Sequence, residues 1–121
     1  MQQTNQLRTV MVADILMSGG FTLLLLIAAE PIGEWLTIEP VVLRLIGAAL
    51  AVHVAILAWS VRSDRVDAGA RYGVLANGAW VVAAAVVVLL GWLVPVAAIA
   101  LVVVSAAVGA FAVLQFRGLA A

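Results

Sequence analysis

The sequence predicts an all-α fold, a bundle of four transmembrane helices that run up, down, up and down, with a short interfacial segment between helices 1 and 2. Hydrophobic residues make up 67% of the chain and charged residues 10%, and the mean hydropathy is +1.27. Soluble domains are about half apolar and about a quarter charged. The apolar residues fall into four runs, each long enough to cross ~30 Å of hydrocarbon as a helix. Short connections between the runs require neighbouring helices to be antiparallel.

The first span is predicted at about residues 7–29, in an apolar run that Asp14 interrupts. Pro31 is expected to end it, because proline disfavours helical geometry in the residue before it. The short segment 31–40 that follows is amphipathic and carries Trp35 among carboxylates. A tryptophan in this setting is typical of a segment that lies in the plane of the lipid headgroups.

The remaining spans are predicted at about residues 41–61, 70–92 and 96–116. The stretch 62–71 is rich in charged residues, which predicts a loop between the second and third spans. Pro95 marks the turn before the fourth span. The spans and their short loops account for the whole chain of 121 residues, so we expect a single transmembrane domain surrounded by the lipid bilayer.

The arginines predict the orientation of the bundle. Five of them fall on one side of the predicted topology: Arg8, Arg62, Arg65, Arg71 and Arg117. Arg44 is the exception and falls near the opposite side. Because basic residues in short loops are retained on the cytoplasmic side, both termini and the 62–71 loop are predicted to be cytoplasmic.

Composition excludes several classes of function. The formal net charge is zero and the chain contains no Lys and no Cys. It therefore offers no basic surface for nucleic acid, no thiolate nucleophile and no Cys metal site. Catalytic or phosphate-binding motifs are also missing from the sequence. A haem would have to be held by the lone His53 together with Met11, Met17 or the His of a second copy of the chain, and a single His makes this a weak site. We therefore expect no cofactor, no bound metal and no enzymatic activity.

A layer of polar residues is predicted inside the apolar spans. Asp14, His53 and Asn77 all fall roughly 10 Å below the cytoplasmic interface if each residue rises ~1.5 Å along its helix. An ionised Asp in a bilayer costs roughly 2.5–3.5 kcal/mol, so it should face the bundle interior and find a partner. The candidate partners of Asp14 are Asn77, His53 and Arg71, the last reaching inward along the third span.

Two interpretations of this layer follow. Ser18 and Thr22 lie on the same helical face as Asp14 and extend it into a polar stripe. In the first interpretation these side chains form hydrogen bonds between helices, and each bond stabilises the bundle by about 0.6 kcal/mol. In the second, Asp14 accepts a proton or cation and His53 relays protons, because His titrates nearest neutral pH. The sequence leaves both open.

A cluster of ion pairs is predicted on the outer side. Arg44 lies close to the outer end of the second span, within reach of three carboxylates in the preceding segment: Glu30, Glu34 and Glu39. The long arginine side chain can extend to the headgroups or to these carboxylates. We interpret the cluster as a topology anchor rather than as a binding site for an anionic ligand.

Small residues at four-residue spacing predict helix packing. They are Gly47, Ala51 and Ala55 in the second span and Ser105 and Gly109 in the fourth. Such spacing lets helix backbones approach closely in lipid. Because His53 lies about 200° from Ala51 around the helix, a His53 that faces inward would turn the Gly47–Ala55 stripe outward, toward another protein. The alternative is that an alanine-rich helix produces this spacing by chance.

Three short motifs resemble those of an uncharacterised group of small four-helix bacterial membrane proteins. They are Leu43-Arg44-x-x-Gly47, Arg71 followed by Asn77-x-x-Trp80, and Leu114-Gln115-x-x-Gly118-Leu119. The resemblance implies a four-helix fold and a bacterial inner-membrane location, and it implies no activity. The position of Asp14 is also similar to that of the membrane-embedded carboxylate of small multidrug resistance transporters. Unlike this chain, that family has Glu at this position and has aromatic-rich second and third spans. The similarity is therefore one of architecture and does not imply a common ancestor.

Two hypotheses of function come from the sequence. The first is a non-catalytic accessory or structural subunit, which forms a homo-oligomer or joins a larger membrane complex through its small-residue faces. The alternative is a minimal proton-coupled transporter or channel that works through Asp14.

Overall fold

The computed structural model describes residues 2–120, and the side chains of residues 5–120. This part of the chain is all-helical and has no strand, which confirms the predicted fold class. Five helices follow one another: α1 Gln2–Ile27, α2 Ala29–Leu36, α3 Pro40–Arg62, α4 Val66–Leu89 and α5 Pro95–Ala120. The four long helices are long and apolar enough to cross a membrane. The chain is therefore a multi-pass membrane protein.

The long helices form two hairpins. Hairpin A consists of α1, α2 and α3, and hairpin B consists of α4 and α5. The closest packing is between α1 and α3 and between α4 and α5. Neighbouring helices are antiparallel throughout, since the start of α1 lies against the end of α5 and the end of α3 lies against the start of α4.

The short segment between the first two spans is a helix of its own. α1 ends at Ile27, and Ala28, with φ −106°, bends the chain before α2 begins. The sequence predicts that Pro31 ends the first span, but α1 already ends at Ile27. Pro31 lies in the first turn of α2, where a proline is tolerated because the N–H groups of that turn have no partner within the helix. Thr37, in the left-handed conformation, ends α2 and donates its N–H to the carbonyl oxygen of Gly33.

The charged stretch is more helical than the sequence predicts. α3 continues to Arg62 and α4 begins at Val66 rather than at about Ala70, so only residues 63–65 connect them. Asp64 takes the left-handed conformation that a tight turn requires. Its carboxylate accepts a hydrogen bond of 2.6 Å from the Arg8 guanidinium. This contact ties the start of α1 to the loop between the hairpins.

The two ends of the bundle carry different charges. We call the end with Arg8, Arg62, Arg65, Arg71 and Arg117 the Arg-rich end. The opposite end, which carries Glu30, Glu34 and Glu39, is the Glu-rich end. A core of buried apolar side chains from α1, α3 and α4 lies near the Arg-rich end: Leu7, Met11, Leu57, Val66 and Ala70. Leu119 of α5 packs against the same core, so all four long helices meet there.

Apolar side chains also cover the outside of the bundle. Leu16 of α1 and both Leu75 and Leu89 of α4 are each more than 70% exposed. In water such a surface would be strongly unfavourable, whereas lipid solvates it at no cost. The buried residues are therefore few, and many of them are polar.

Candidate functional site

Asp14 is buried in the middle of the bundle. It lies on α1 between apolar neighbours, and its side chain is 1% exposed. A buried carboxylate is costly unless hydrogen-bond donors surround it. The donors that meet Asp14 come from α1 itself, α4 and α5.

Both carboxylate oxygens of Asp14 accept hydrogen bonds. Ser18 Oγ, one turn along α1, donates to Oδ1 at 2.8 Å. Asn77 Nδ2 of α4 donates to Oδ2 at 3.0 Å. Gln115 Nε2 of α5 donates to the same oxygen at 2.8 Å. The carboxylate therefore joins hairpin A to both helices of hairpin B.

Gln115 completes the network, although its role was not predicted from the sequence. Its side chain is fully buried, its Oε1 accepts a hydrogen bond of 3.0 Å from Asn77 Nδ2, and its Nε2 lies 3.7 Å from Met11 Sδ. Because Gln115 is close to Arg117, it reads in the sequence as part of the polar end of the fourth span. α5 continues to Ala120, and the antiparallel packing of α1 and α5 brings Gln115 to the level of Asp14.

A glycine makes the position of Gln115 accessible. A Cβ atom on Gly73 of α4 would lie 2.6 Å from Gln115 Oε1 and 2.9 Å from its Cδ. The amide therefore occupies space that any other residue at position 73 would take. Gly69, one turn earlier, likewise leaves room for the side chain of Ser60 on α3.

His53 of α3 approaches the carboxylate from the remaining helix. Its Nε2 lies 3.5 Å from Asp14 Oδ1, and this nitrogen is buried without a hydrogen-bond partner. On the other side of the ring, Nδ1 lies 3.1 Å from the hydroxyl of Tyr72 on α4. Tyr72 is half-buried, and its part in the site was not predicted from the sequence. Its contact with His53 follows from the packing of α3 against α4.

We call these six residues the Asp14 network: Asp14, Ser18, His53, Tyr72, Asn77 and Gln115. The structure brings together Asp14, His53 and Asn77, as the sequence predicts from their common depth. Arg71, the fourth predicted member, is exposed and takes no part in these hydrogen bonds. Neutral amides and a hydroxyl donate to Asp14 in its place. The arginine can reach water from the first turns of α4, which is more favourable than burial of its charge.

The polar stripe on α1 stops one turn beyond Ser18. Thr22 is buried and its Oγ1 donates to the carbonyl oxygen of Ser18 at 2.8 Å. Further toward the Glu-rich end, Leu25 and Leu26 of α1 pack against Gly47 of α3. Apolar packing thus closes hairpin A on that side of the network.

The small-residue stripe of α3 does not face a single direction. Gly47 is buried against α1, because a Cβ there would lie 3.1 Å from side-chain atoms of Leu25 and Leu26. Ala55 is exposed, and Ala51 is intermediate. The expected outward stripe is therefore divided by the rotation of about 40° that four residues add along a helix.

The small residues of α5 face α4. Ser105 Oγ accepts a hydrogen bond of 3.2 Å from Trp80 Nε1, and the Cβ position of Gly109 lies 3.6 Å from Val81 Cγ2. These contacts hold hairpin B together. They leave Ser105 and Gly109 engaged within the chain.

The cluster at the Glu-rich end is open to solvent. Arg44 Nη2 lies 3.2 Å from Glu30 Oε1, and both side chains are exposed. Glu34 and Glu39 are also exposed and make no ion pair with Arg44 within the described chain. Exposed ion pairs of this kind contribute about 0–1 kcal/mol.

The Asp14 network can hold a proton, and its donor set is poorly suited to a metal. Asp14 and His53 are the two side chains in it that bind metals most readily. No third His, Cys, Asp or Glu joins them within residues 5–120. The remaining members present N–H and O–H groups to the carboxylate rather than free oxygen atoms.

Comparison of the chain with protein-family models, with curated proteins and with solved structures finds no match.

Proposed function

We propose that this chain is a non-catalytic membrane protein that acts as a structural or accessory subunit, and that the Asp14 network fixes its two hairpins as one unit. The observation that carries the proposal is that Asp14 accepts hydrogen bonds from Ser18, Asn77 and Gln115 at 2.8–3.0 Å. A carboxylate that binds a substrate needs unoccupied lone pairs facing a cavity. The carboxylate oxygens of Asp14 instead accept hydrogen bonds from side chains of the protein itself.

The position of the cavity supports the same conclusion. A cavity of about 460 Å³, largely open to the surface of the bundle, lies between α4 and α5, and it is lined by apolar residues and Ser105. None of the six residues of the Asp14 network lines it. The open space of hairpin B and its buried polar groups are therefore separate.

A subunit of this kind needs a partner, and α5 is the helix that leaves most surface for one. Among its described side chains only Ala97 and Gln115 are buried. Ile99 and Val103 are each 65% exposed. We propose that this face of α5 packs against a second copy of the chain or a larger membrane complex.

Cysteine crosslinking tests the role of α5, because the natural chain has no Cys. Val103→Cys in native membranes should form a disulfide-linked dimer or a defined adduct on oxidation. Leu75→Cys, at a position on α4 that is even more exposed, is the control and should remain monomeric. A monodisperse monomer in native nanodiscs, with no adduct at position 103, contradicts the proposal.

The orientation belongs to the same proposal. We place the Arg-rich end on the cytoplasmic side of a bacterial inner membrane, since five of the six arginines lie there and basic loops are retained in the cytoplasm. Ser63→Cys in the α3–α4 loop should be protected from a membrane-impermeant maleimide in intact cells. Glu34→Cys on α2 should be labelled. The reverse pattern would overturn the orientation.

A further inference from the structure

We propose that Asp14 and His53 form a proton-binding site that exchanges with the Arg-rich side through Tyr72 and is closed toward the Glu-rich side. The proposal goes beyond a structural role, because it assigns the network a ligand. Its starting point is His53 Nε2, which among the described side chains, residues 5–120, is the one buried nitrogen or oxygen atom without a hydrogen-bond partner. That atom is directed at Asp14 Oδ1 across 3.5 Å.

The hydrogen bonds of Asp14 determine which ring nitrogen carries a proton. Asn77, Gln115 and Ser18 all donate to the carboxylate, which indicates that it is an anion. A bare Nε2 would direct its lone pair at this anion, and the two would repel each other. His53 therefore carries a proton on Nε2, whether the ring is neutral or cationic.

The state of Nδ1 then depends on Tyr72. In the neutral ring Nδ1 has a lone pair and accepts a hydrogen bond from the Tyr72 hydroxyl at 3.1 Å. In the cationic ring Nδ1 carries a proton and donates to the Tyr72 oxygen. Both states satisfy the same contact, and they differ only in its direction. This chain of groups can therefore take up a proton without moving a helix.

Proton uptake can be written as a balanced step. The Tyr72 hydroxyl gives its proton to Nδ1 of His53, and a hydronium ion from the Arg-rich side reprotonates the phenol oxygen and leaves as water. The products are a neutral Tyr72 and a cationic His53 beside the anionic Asp14. One proton has entered, and no other bond has formed or broken. Attraction between the two charges should shorten the distance of 3.5 Å between Nε2 and Oδ1.

The order of the residues along the helices makes the path one-sided. Tyr72 lies nearer to the start of α4, at the Arg-rich end, than Asn77 does. On the opposite side the polar groups of α1 stop at Thr22, whose hydroxyl is bonded to the backbone of α1, and in hairpin B the Trp80 indole is bonded to Ser105. Beyond Thr22, Leu25 and Leu26 pack against Gly47. A proton on His53 thus has a polar route to one surface only.

Few other charges act on His53. On α1 only Asp14 faces it, because the Arg8 guanidinium is bonded to Asp64 and to the carbonyl oxygen of Val61. On α4 only Tyr72 faces it, since Asp67 and Arg71 are exposed. α5 contributes the neutral Gln115. Arg62 on α3 and Arg117 on α5 are exposed at the Arg-rich end, and α2 carries its carboxylates at the Glu-rich end.

The lone His of the chain makes the test direct. ¹⁵N-labelled His in lipid bilayers should show the Nε2–H tautomer at high pH and the doubly protonated ring on acidification. Asp14→Asn should lower the cationic fraction several-fold at a given pH, because a neutral amide does not stabilise the cation. An Nδ1–H tautomer in the wild type, or a spectrum unaffected by Asp14→Asn, would overturn the proposal.

Tyr72→Phe separates proton exchange from folding, because it removes one hydroxyl and leaves the ring in place. We expect exchange of the His53 ring protons to slow by about a hundredfold or more, because a positioned proton-transfer group contributes roughly 10²–10⁴-fold. Asp64→Asn, at an exposed carboxylate of the Arg-rich end, is the control and should leave the rate unchanged. Equal exchange rates in Tyr72→Phe and wild type would exclude Tyr72 as the route.

Proteoliposomes test the closure of the site. With an entrapped pH dye and an imposed proton gradient, the wild type should conduct no more protons than empty vesicles. Proton flux in the wild type that is lost in Asp14→Asn would show that the path continues across the membrane. That result would overturn the one-sided site and establish a proton-conducting protein in its place.

Discussion

The half of the bundle next to the Arg-rich end and the half next to the Glu-rich end are held together differently. In the Arg-rich half, Asp14, Asn77 and Gln115 connect hairpin A to hairpin B through buried hydrogen bonds. In the Glu-rich half, the contact of Gly47 with α1 lies within hairpin A, and the contact of Ser105 with Trp80 lies within hairpin B. Neither contact joins the two hairpins. Apolar helices gain little from meeting each other in lipid. Polar groups that must be satisfied therefore decide where the hairpins join.

The first prediction concerns a variant that removes the hydrogen bonds between hairpin A and hairpin B. Asp14→Ala removes one acceptor from each of the buried amides of Asn77 and Gln115, although Asn77 keeps its bond to Gln115 Oε1. Each donor that is left unsatisfied costs about 1–3 kcal/mol. We expect the free energy of unfolding in bilayers to fall by about 3 kcal/mol, measured by steric trapping. Asp64→Asn, which removes an exposed charge and keeps a residue type that tolerates the left-handed conformation, should change it by less than about 1 kcal/mol. Similar losses in the two variants would refute the role of Asp14.

A second prediction concerns the space that glycine provides in the Arg-rich half. Gly73→Ala places a methyl group 2.6 Å from Gln115 Oε1, so the amide must move away from Asp14. Overpacking of this kind costs about 1–3 kcal/mol. Gly78→Ala on the same helix meets nothing within 4 Å and should be neutral or slightly stabilising. Comparison of the two variants in the same unfolding assay separates a steric effect from helix propensity.

The third prediction tests the Glu-rich half, where packing is looser. Ala85→Leu adds apolar atoms at the edge of the cavity between α4 and α5, which has a volume of about 460 Å³. Because Ala85 is exposed and the cavity can receive the larger side chain, we expect a change of at most about 0.5 kcal/mol. A loss as large as that of Gly73→Ala would show that this half is as tightly packed as the other.

The smallest effect is expected at the Glu-rich surface. Arg44→Gln removes an ion pair to Glu30 whose two side chains are exposed, so the free energy of unfolding should change by less than about 0.5 kcal/mol. The orientation of the chain in the membrane is the more sensitive measurement, because Arg44 is the one arginine on the Glu-rich side and opposes the bias set by the other five. A large loss of stability from Arg44→Gln would mean that the exposed cluster also holds the hairpins together.

Much of the candidate site could be predicted because depth is a one-dimensional property. Counting residues along each span places Asp14, His53 and Asn77 at one level, and the structure finds them in contact range. The same counting missed Gln115, because this residue lies near Arg117, where the sequence predicts the end of the fourth span. It also suggested Arg71, which reaches water instead because its charge is better solvated there.

The sequence by itself determined the environment, the number of long helices and their alternating direction, since apolar runs of this length with short connections allow no other arrangement in a bilayer. Only the tertiary structure decided which helical faces meet, because lipid solvates every apolar face equally well and periodicity does not distinguish them. It placed Gln115 rather than Arg71 beside Asp14, set Tyr72 against His53, and divided the small-residue stripe between the interior and the surface. Those choices depend on helix rotation and close approach at Gly73, which no single span specifies alone.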